Sequence, residues 1–448
     1  MFNRILVANR GEIALRILRT CRRMGIETVV VYSKADRDAV YLRLADQAVC
    51  IGPAEPKLSY LNMNQIIAAA EVCDVEAIHP GYGFLSENAA FAEIVETCNI
   101  KFIGPTAHSM NLLGDKIAAR KLAEECGVPC VPGSKNAVET DEEALRLAHE
   151  IGYPVLIKAA AGGGGRGMRQ AYNDASLLDR LSQARTEAKN AFGSGACFIE
   201  KFIEAPRHVE VQIMADGNGH VLHMGERDCT TQRRYQKLIE ESPSPIIDEK
   251  MRKALCDAAV KIAKKADYRG AGTVEFLLDG KGHYFFGEVN TRIQVEHPVT
   301  EQVTGLDLIE LQIRIAAGEG LPLKQSDIVN RGHAIECRIN CEDPWRNFAP
   351  SVGTINLYCP PTGSFVRVDS HLYSGYKIPP YYDSMLAKLI VTGADRNECI
   401  ERTKRALSDF IVEGVHTTIP FFLKLMNHHK FITNQYHTRW IEEEFLKS

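Results

Sequence analysis

The chain has 448 residues, 45% of them hydrophobic, enough for two or three domains with their own cores. A formal net charge of −4 excludes the bulk basic character of nucleic-acid or acidic-membrane binders, so any phosphate site must rest on local cations. Thirteen scattered cysteines, an odd number without clustered metal-ligand spacing, point to reduced thiols; no apolar run reaches a membrane span, and no signal-peptide core precedes the first strand.

Ile5-Leu6-Val7-Ala8 reads as a buried strand, Asn9-Arg10-Gly11 as a turn, and 12–24 as a helix stopped by Gly25. Strands over 28–32, 75–78 and 101–103 alternate with helices over 62–73 and 89–98. That alternation predicts a parallel sheet with right-handed crossovers. The first turn has a single glycine, a poor dinucleotide fingerprint, so this region reads as Rossmann-like without NAD. His79-Pro80-Gly81-Tyr82-Gly83-Phe84-Leu85-Ser86-Glu87-Asn88 follows the third strand, at the strand ends where open parallel sheets take ligands. Its glycines admit close approach, and Tyr82 offers a flat ring with a hydroxyl.

A helix starts at Gly114-Asp115-Lys116 and ends at Gly127; 128–133 is a linker, and Asp141-Glu142-Glu143 leads into a further helix. Tyr153-Pro154-Val155-Leu156-Ile157-Lys158 is an apolar strand ending in a lysine. The run Gly162-Gly163-Gly164-Gly165-Arg166-Gly167 then reads as a mobile hairpin loop whose bare amides can wrap phosphate oxygens. It is not a Walker loop, because no Gly-Lys-Ser/Thr follows. Strands over 198–203 and 208–213 precede the very polar segment 226–237, whose charge alone leaves a mere surface hairpin open as one reading.

Thr273-Val274-Glu275-Phe276-Leu277-Leu278 and Tyr284-Phe285-Phe286 read as two strands joined by a turn. Pairing Leu278 with His283 sets Glu275 opposite Phe286 and diagonal to Glu288, about 7–8 Å apart. If the backbone stays extended to His297, Glu288, Asn290, Arg292, Gln294 and Glu296 share one polar face. Two acids, an arginine and two amides suit a hard cation beside a small anion, and the pair Glu275 and Glu288 with Asn290 suits Mg²⁺ or Mn²⁺. A helix over 305–317 and a turn over 318–322 lead to an alternating strand with Glu336, Arg338 and Asn340 on one side. The remainder, through Trp440 to Phe445, reads as helices packed on a sheet.

Glu275 with Glu288-x-Asn290 resembles the metal-binding pair of the ATP-grasp superfamily. The longer run Asn290-Thr291-Arg292-Ile293-Gln294-Val295-Glu296-His297-Pro298-Val299-Thr300-Glu301 resembles the biotin carboxylases, and the resemblance extends over essentially the whole chain. It implies a mixed α/β (α+β) architecture: a Rossmann-like pre-ATP-grasp domain at 1–114, an ATP-grasp domain at 115–330 with a closing lid near 131–203, and a C-terminal biotin carboxylase domain at 331–448. It places ATP at Lys116, Lys158, the loop glycines Gly163, Gly164 and Gly165, and the hinge Glu200-Lys201-Phe202-Ile203. His208, Gln232, Tyr235, Glu275 and Glu288 complete that site, Tyr235 standing where many relatives have histidine. Two Mg²⁺ or Mn²⁺ ions are expected at Glu275, Glu288 and Asn290, bicarbonate at Lys237, Arg292, Gln294 and the Val295 backbone, and biotin at Tyr82, Arg338 and Asp383. Arg292, Glu296, Arg338 and Lys237 are the expected catalytic set, with Glu296 the base toward bicarbonate and Arg338 facing the ureido group of biotin. Ala160-Ala161 replaces a usual Ser-Gly pair, which should make the glycine loop slightly stiffer.

The resemblance implies bicarbonate- and ATP-dependent carboxylation of biotin through carboxyphosphate, the first half-reaction of acetyl-CoA carboxylase on the way to malonyl-CoA and fatty acids. No Met-Lys-Met biotin acceptor occurs, so the biotin is expected on a separate carboxyl carrier protein rather than attached to this chain. Carboxyltransferase subunits, a homodimer and a cytoplasmic location are expected with it. Two other readings stay open: another ATP-grasp ligase, related to glycinamide ribonucleotide synthetase or carbamoyl phosphate synthetase, and a catalytically silent nucleotide-binding subunit.

Overall fold

The structure, a computed structural model, describes residues 1–159 and 168–447. Apolar β1 (Arg4–Val7), β2 (Glu27–Ser33), β3 (Gln47–Gly52), β4 (Ala77–His79) and β5 (Lys101–Phe102) form a sheet in the order β3-β2-β1-β4-β5, with every pair parallel. Helices α1 (Gly11–Arg23), α2 (Met63–Val72) and α3 (Ala89–Thr97) are its crossovers, and the side chains of Asn62 and Asn88 cap the last two. Strand β3 has no counterpart in the sequence reading. It is an edge strand with Gln47, Ala48 and Cys50 exposed, so it lacks the apolar run that marks its neighbours. The 79–88 loop therefore follows the fourth strand, not the third.

Helices α4 (Ala107–Gly114) and α5 (Lys116–Glu125) meet at Asp115, whose carboxylate caps α5 by accepting from the amides of Ile117 and Ala118. A small antiparallel sheet follows, in the order β7-β6-β8, from β6 (Val155–Ala159), β7 (Arg169–Ala171) and β8 (Cys197–Lys201). Helices α6 (Asp141–Ile151) and α7 (Asp174–Phe192) close its own core of Val155, Ile157, Leu177, Leu181 and Ile199. Gly163, Gly164 and Gly165, with Arg166 and Ala160-Ala161, lie outside the described residues.

An eight-stranded antiparallel sheet carries the rest. Its order is β13 (Tyr284–Asn290), β12 (Arg269–Leu278), β9 (Arg207–Asp216), β10 (Val221–Arg233), β11 (Gln236–Ser242), β14 (His333–Asn340), then the Met385–Gly393 and Val366–Ser370 strands. Strands assigned by sequence to the second and third domains thus share one sheet through the β11–β14 pair. Helix α8 (Glu249–Lys265) packs on one half; α11 (Arg396–Asp409) and α12 (Ile419–Met426) pack on the other.

One open reading is closed and two local expectations are corrected. The polar segment 226–237 is not a surface hairpin: it is the middle of the sheet, with Glu226, Arg227, Asp228 and Gln232 all buried, turning at Arg234 and Tyr235 in positive φ. The extended run from Glu288 stops at Asn290, and α9 (His297–Thr304) begins where a strand was expected to end. The helix expected over 305–317 starts only at Leu308 as α10 (Leu308–Ala316), because Gly305 takes φ 73° and terminates α9 while Asp307 caps α10. Among the described residues no helix is long and apolar enough to cross a membrane.

Candidate active site

The β12–β13 register differs by one from the sequence expectation: Leu278 faces Tyr284 and Phe276 faces Phe286. A one-residue slip sends side chains to opposite faces, and a bulge restores them. Between the Phe276–Phe286 and Val274–Val289 pairs, Glu275 alone stands against Gly287 and Glu288. Phe276, Val274, Phe286 and Val289 stay buried in the α8-side core, while Glu275 and Glu288 turn to the other face. Gly287 suits the bulge because a Cβ there would lie 3.1 Å from the Glu275 carbonyl oxygen.

Lys237 is the centre of the polar face. Its ammonium donates to Glu210 at 2.6 Å, Glu275 at 2.9 Å and Glu296 at 2.7 Å. Burial alone would lower its pKa, but the surrounding carboxylates hold it well above the ordinary lysine value. His208, Glu210 and Glu275 each bring one possible ligand atom within 4.8 Å of the others, and the cation among them is this ammonium. Buried Arg227 fixes the floor, donating to Glu210 at 2.5 Å and to Gln212 at 2.7 Å. Glu296 lies between Lys237 and Arg338, which donates to its other oxygen at 2.9 Å. Burial raises the Glu296 pKa, yet Lys237, Arg338 and Arg227 outweigh it and keep the carboxylate well below its usual range.

Arg292 lies beside this cluster although its backbone is not extended. It donates to Asn290 Oδ1 at 3.2 Å, to Gln294 Oε1 at 2.8 Å and to Glu87 of the 79–88 loop at 2.8 Å. Gln294 Nε2 is buried with no hydrogen-bond partner among the described residues. A fully buried ammonium, Lys388 Nζ, donates to the Val295 carbonyl at 3.0 Å and meets Glu12 at 3.2 Å, so it fixes the 294–296 peptide from below. The Tyr82 hydroxyl donates to the same Glu12 oxygen. Asp383 is exposed, its carboxylate accepting from the Met385 amide at 3.1 Å.

On the nucleotide side, Glu200 accepts from Lys158 at 2.5 Å and from Arg120 at 2.9 Å. The Lys201 ammonium turns away to the carbonyls of Gly152 and Tyr153, both at 3.0 Å. Its amide is taken by Pro132 and that of Phe202 by Pro154, leaving the Ile203 amide without a partner among the described residues. His208 bonds Glu275 at 3.0 Å and Gln232 at 3.3 Å. Burial lowers its pKa and Glu275 raises it, for a net rise. Tyr235, at the hairpin turn, is 42% exposed. Lys116 opens α5 with its ammonium's pKa lowered by burial, Glu288 acting against that.

The residues present fit a divalent cation. Glu288 has no hydrogen-bond partner among the described residues, and burial and the charge of Glu275 both push its carboxyl up, a repulsion that a hard cation between oxygen donors removes. Asn290 donates to Glu275 at 2.8 Å, and its own oxygen accepts from Arg292 at 3.2 Å, which joins this pair to the neighbouring corner. The neighbouring corner can hold a small anion, with a guanidinium, an ammonium and an orphaned amide donor converging beside an ionised carboxylate. Sequence reasoning missed Glu87, Glu210 and Lys388 as parts of this site. A charged residue on an otherwise apolar strand, as Lys388 is in Met385–Gly393, was the available signal.

Three family models match the chain: "Biotin carboxylase, N-terminal domain" over residues 1–110, "Carbamoyl-phosphate synthase L chain, ATP binding domain" over 115–324 and "Biotin carboxylase C-terminal domain" over 336–443. Biotin carboxylase 1 of Bacillus subtilis is 55% identical over 443 residues, covering 99% of this chain and 98% of its own length. The crystal structure of a biotin carboxylase–βγ-ATP complex from Campylobacter jejuni superposes with TM-score 0.97 at 51% identity, covering 99% of both chains. The biotin carboxylase domain dimer of the Hydrogenobacter thermophilus 2-oxoglutarate carboxylase, solved with MgADP, ADP and bicarbonate, gives TM-score 0.96 at 48% identity over 99% of this chain and 98% of that one.

Proposed function

Since the chain belongs to the biotin carboxylase family and is an ATP-dependent carboxylating ligase, we propose that it carboxylates biotin on a separate carrier protein, using bicarbonate through carboxyphosphate, as the first half-reaction of acetyl-CoA carboxylase. The observation that carries the reading is Glu296 held between Lys237 and Arg338, beside Arg292 and the unpartnered amide of Gln294. Bicarbonate is unreactive until it becomes an acyl phosphate. Arg292, Gln294 and Lys237 orient it as a planar anion, and Glu296 accepts its proton. Glu275, Glu288 and Asn290 would hold Mg²⁺ or Mn²⁺, which supplies charge neutralisation at the transferring phosphate. Lys116 and Lys158 spread the same charge, while Glu200 and the free Ile203 amide serve ribose and adenine, with His208, Gln232 and Tyr235 along the nucleotide. Tyr82, Arg338 and Asp383 take biotin. Residues 131–203 act as the lid of a 115–330 domain, between domains at 1–114 and 331–448, and close to exclude water from carboxyphosphate.

A homodimer, a biotin carboxyl carrier protein, carboxyltransferase subunits and a cytoplasmic setting complete the proposal. The similarity to the Hydrogenobacter domain supports a second reading of the final acceptor, a 2-oxo acid in place of acetyl-CoA. The test is phosphate release from ATP and bicarbonate with and without free biotin. Biotin should raise the rate, and a rate indifferent to biotin points to another ATP-grasp ligase. Biotinylated carrier should far exceed free biotin in catalytic efficiency, because tethering gives an effective concentration near millimolar. Equal efficiency for the two, or biotin covalently attached to this chain, overturns the carrier assignment.

A further inference from the structure

Behind Arg338 lies a pair of carboxyls that the mechanism above does not use. Glu240 of β11 and Glu336 of β14 stand directly opposite each other in the antiparallel ladder, and neither is exposed to solvent. Opposite residues on one face bring Cβ atoms to about 4.5–5.5 Å, a spacing at which like charges repel. Glu240 Oε1 accepts from Arg338 at 2.5 Å. Glu240 Oε2 and both oxygens of Glu336 are buried with no donor among the described residues. Three orphaned acceptors cannot be satisfied by two carboxylates, which only accept; a proton on one of them supplies the missing donor.

The surrounding charges do not remove the need for that proton. Lys388, next to Arg338 in the ladder, spends its ammonium on Glu12 and the Val295 carbonyl. Lys237 is shared among Glu210, Glu275 and Glu296, and Glu296 adds a further negative charge toward the pair. His297, at the start of the α9 helix packed over β14, is kept neutral by burial. Among the described residues Arg338 is the one cation bonded to the pair, and it also bonds Glu296.

We propose that Glu240 and Glu336 form a proton-holding pair that carries one proton while Arg338 rests on Glu240 and takes up a second from solution when Arg338 turns to biotin. The first part stands on the geometry alone; the second rests on the reading of Arg338 as the biotin contact. In the resting protein Glu336 is the acid and Glu240 the carboxylate partner of Arg338. Burial pushes Glu336 well above the usual carboxyl range, and it lifts Glu240 to about 7 even with Arg338 in place. Departure of Arg338 removes the cation that opposes protonation of Glu240, so an O–H bond forms there. The proton returns to solution when Arg338 comes back. The pair is thus a positioning device, returning Arg338 to rest between turnovers.

Infrared spectroscopy of the whole protein at neutral pH tests the resting proton. A protonated-carboxyl band should be present and should lose one carboxyl's intensity in Glu336→Gln, an isosteric change that keeps the neutral state and hence the fold. A spectrum unchanged in Glu336→Gln overturns the assignment. The second part is read from the pH dependence of KM for free biotin, which proton uptake makes rise up to tenfold per pH unit on the alkaline side. Glu240→Gln should flatten that slope while turnover persists; an unaltered slope overturns the coupling. A rate of ATP cleavage by the unmodified protein that biotin does not raise would instead discard the functional reading, leaving the infrared result to decide the resting proton.

Discussion

Two cations touch Glu296, and each makes it a weaker base than an ordinary glutamate while aiming its oxygens. Turnover then requires that bicarbonate or biotin draw part of that positive charge away. Glu296→Gln keeps the shape and removes the basicity. The rate should fall by about 10²–10⁴ with ATP affinity near normal, measured by steady-state turnover and nucleotide-dependent melting. Lys237 keeps Glu210 and Glu275, so the fold should persist; undiminished turnover would remove Glu296 from the mechanism. Arg338→Gln should depress biotin carboxylation more than bicarbonate-dependent ATP cleavage, and an equal loss of both would count against its separate role. Glu288, Asn290, Arg292 and Glu296 were legible because their inventory is concentrated in one stretch. Glu87, Glu240 and Lys388 were not, because each gains meaning only from a partner far away in sequence.

The β12–β13 hairpin shows how an element can be read nearly right for an incomplete reason. Pairing Leu278 with His283 gave the correct face for Glu275 and Glu288, but the ladder starts one residue later and the bulge at Gly287 returns the register. The sequence alone did not distinguish a shorter turn from a longer turn plus a bulge. Gly287→Val would press a branched side chain toward the Glu275 carbonyl, where even a Cβ lies at 3.1 Å. The expected cost is about 1–3 kcal/mol of stability and a several-fold higher magnesium requirement for ATP cleavage. A normal magnesium titration in a folded Gly287→Val protein would show that the bulge does not set the carboxylate pair. Alternation beyond Asn290 was misread as a strand because charged and apolar residues also alternate in an irregular segment whose polar groups converge on one cluster.

At the scale of the molecule, Arg16 of α1 bonds Glu301 of α9 at 2.8 Å and Asp307 at 2.9 Å, and Arg367 bonds the same Glu301 at 2.8 Å. The first sheet and the edge of the large sheet are therefore joined through buried charge. Burial raises Asp369, but the guanidinium of Arg367 prevails and takes it from 3.8 to about 2. A carboxyl depressed in the fold adds stability above its unfolded pKa and loses it as pH falls through its folded one. About 2 kcal/mol should disappear between roughly pH 4 and pH 2. Asp369→Asn should make acid melting shallower over that window, and an unchanged acid limb would assign the loss elsewhere. The layered architecture was readable from the alternation of elements, whereas the joining of the large sheet across 330 was not, because strand order between distant segments leaves no local pattern. That joining has a practical consequence. The segment before β14 is a surface connection, with Val329 51% exposed, while β11 and β14 on either side of it are locked edge to edge over a common core of Leu238, Ile239, Ile335 and Cys337. Cutting the chain there severs a peptide bond without severing the sheet. Two co-expressed fragments, 1–328 and 329–448, should find each other unaided and restore the carboxylating enzyme, so the position tolerates a permanent nick and the two halves can be labelled separately before they are joined.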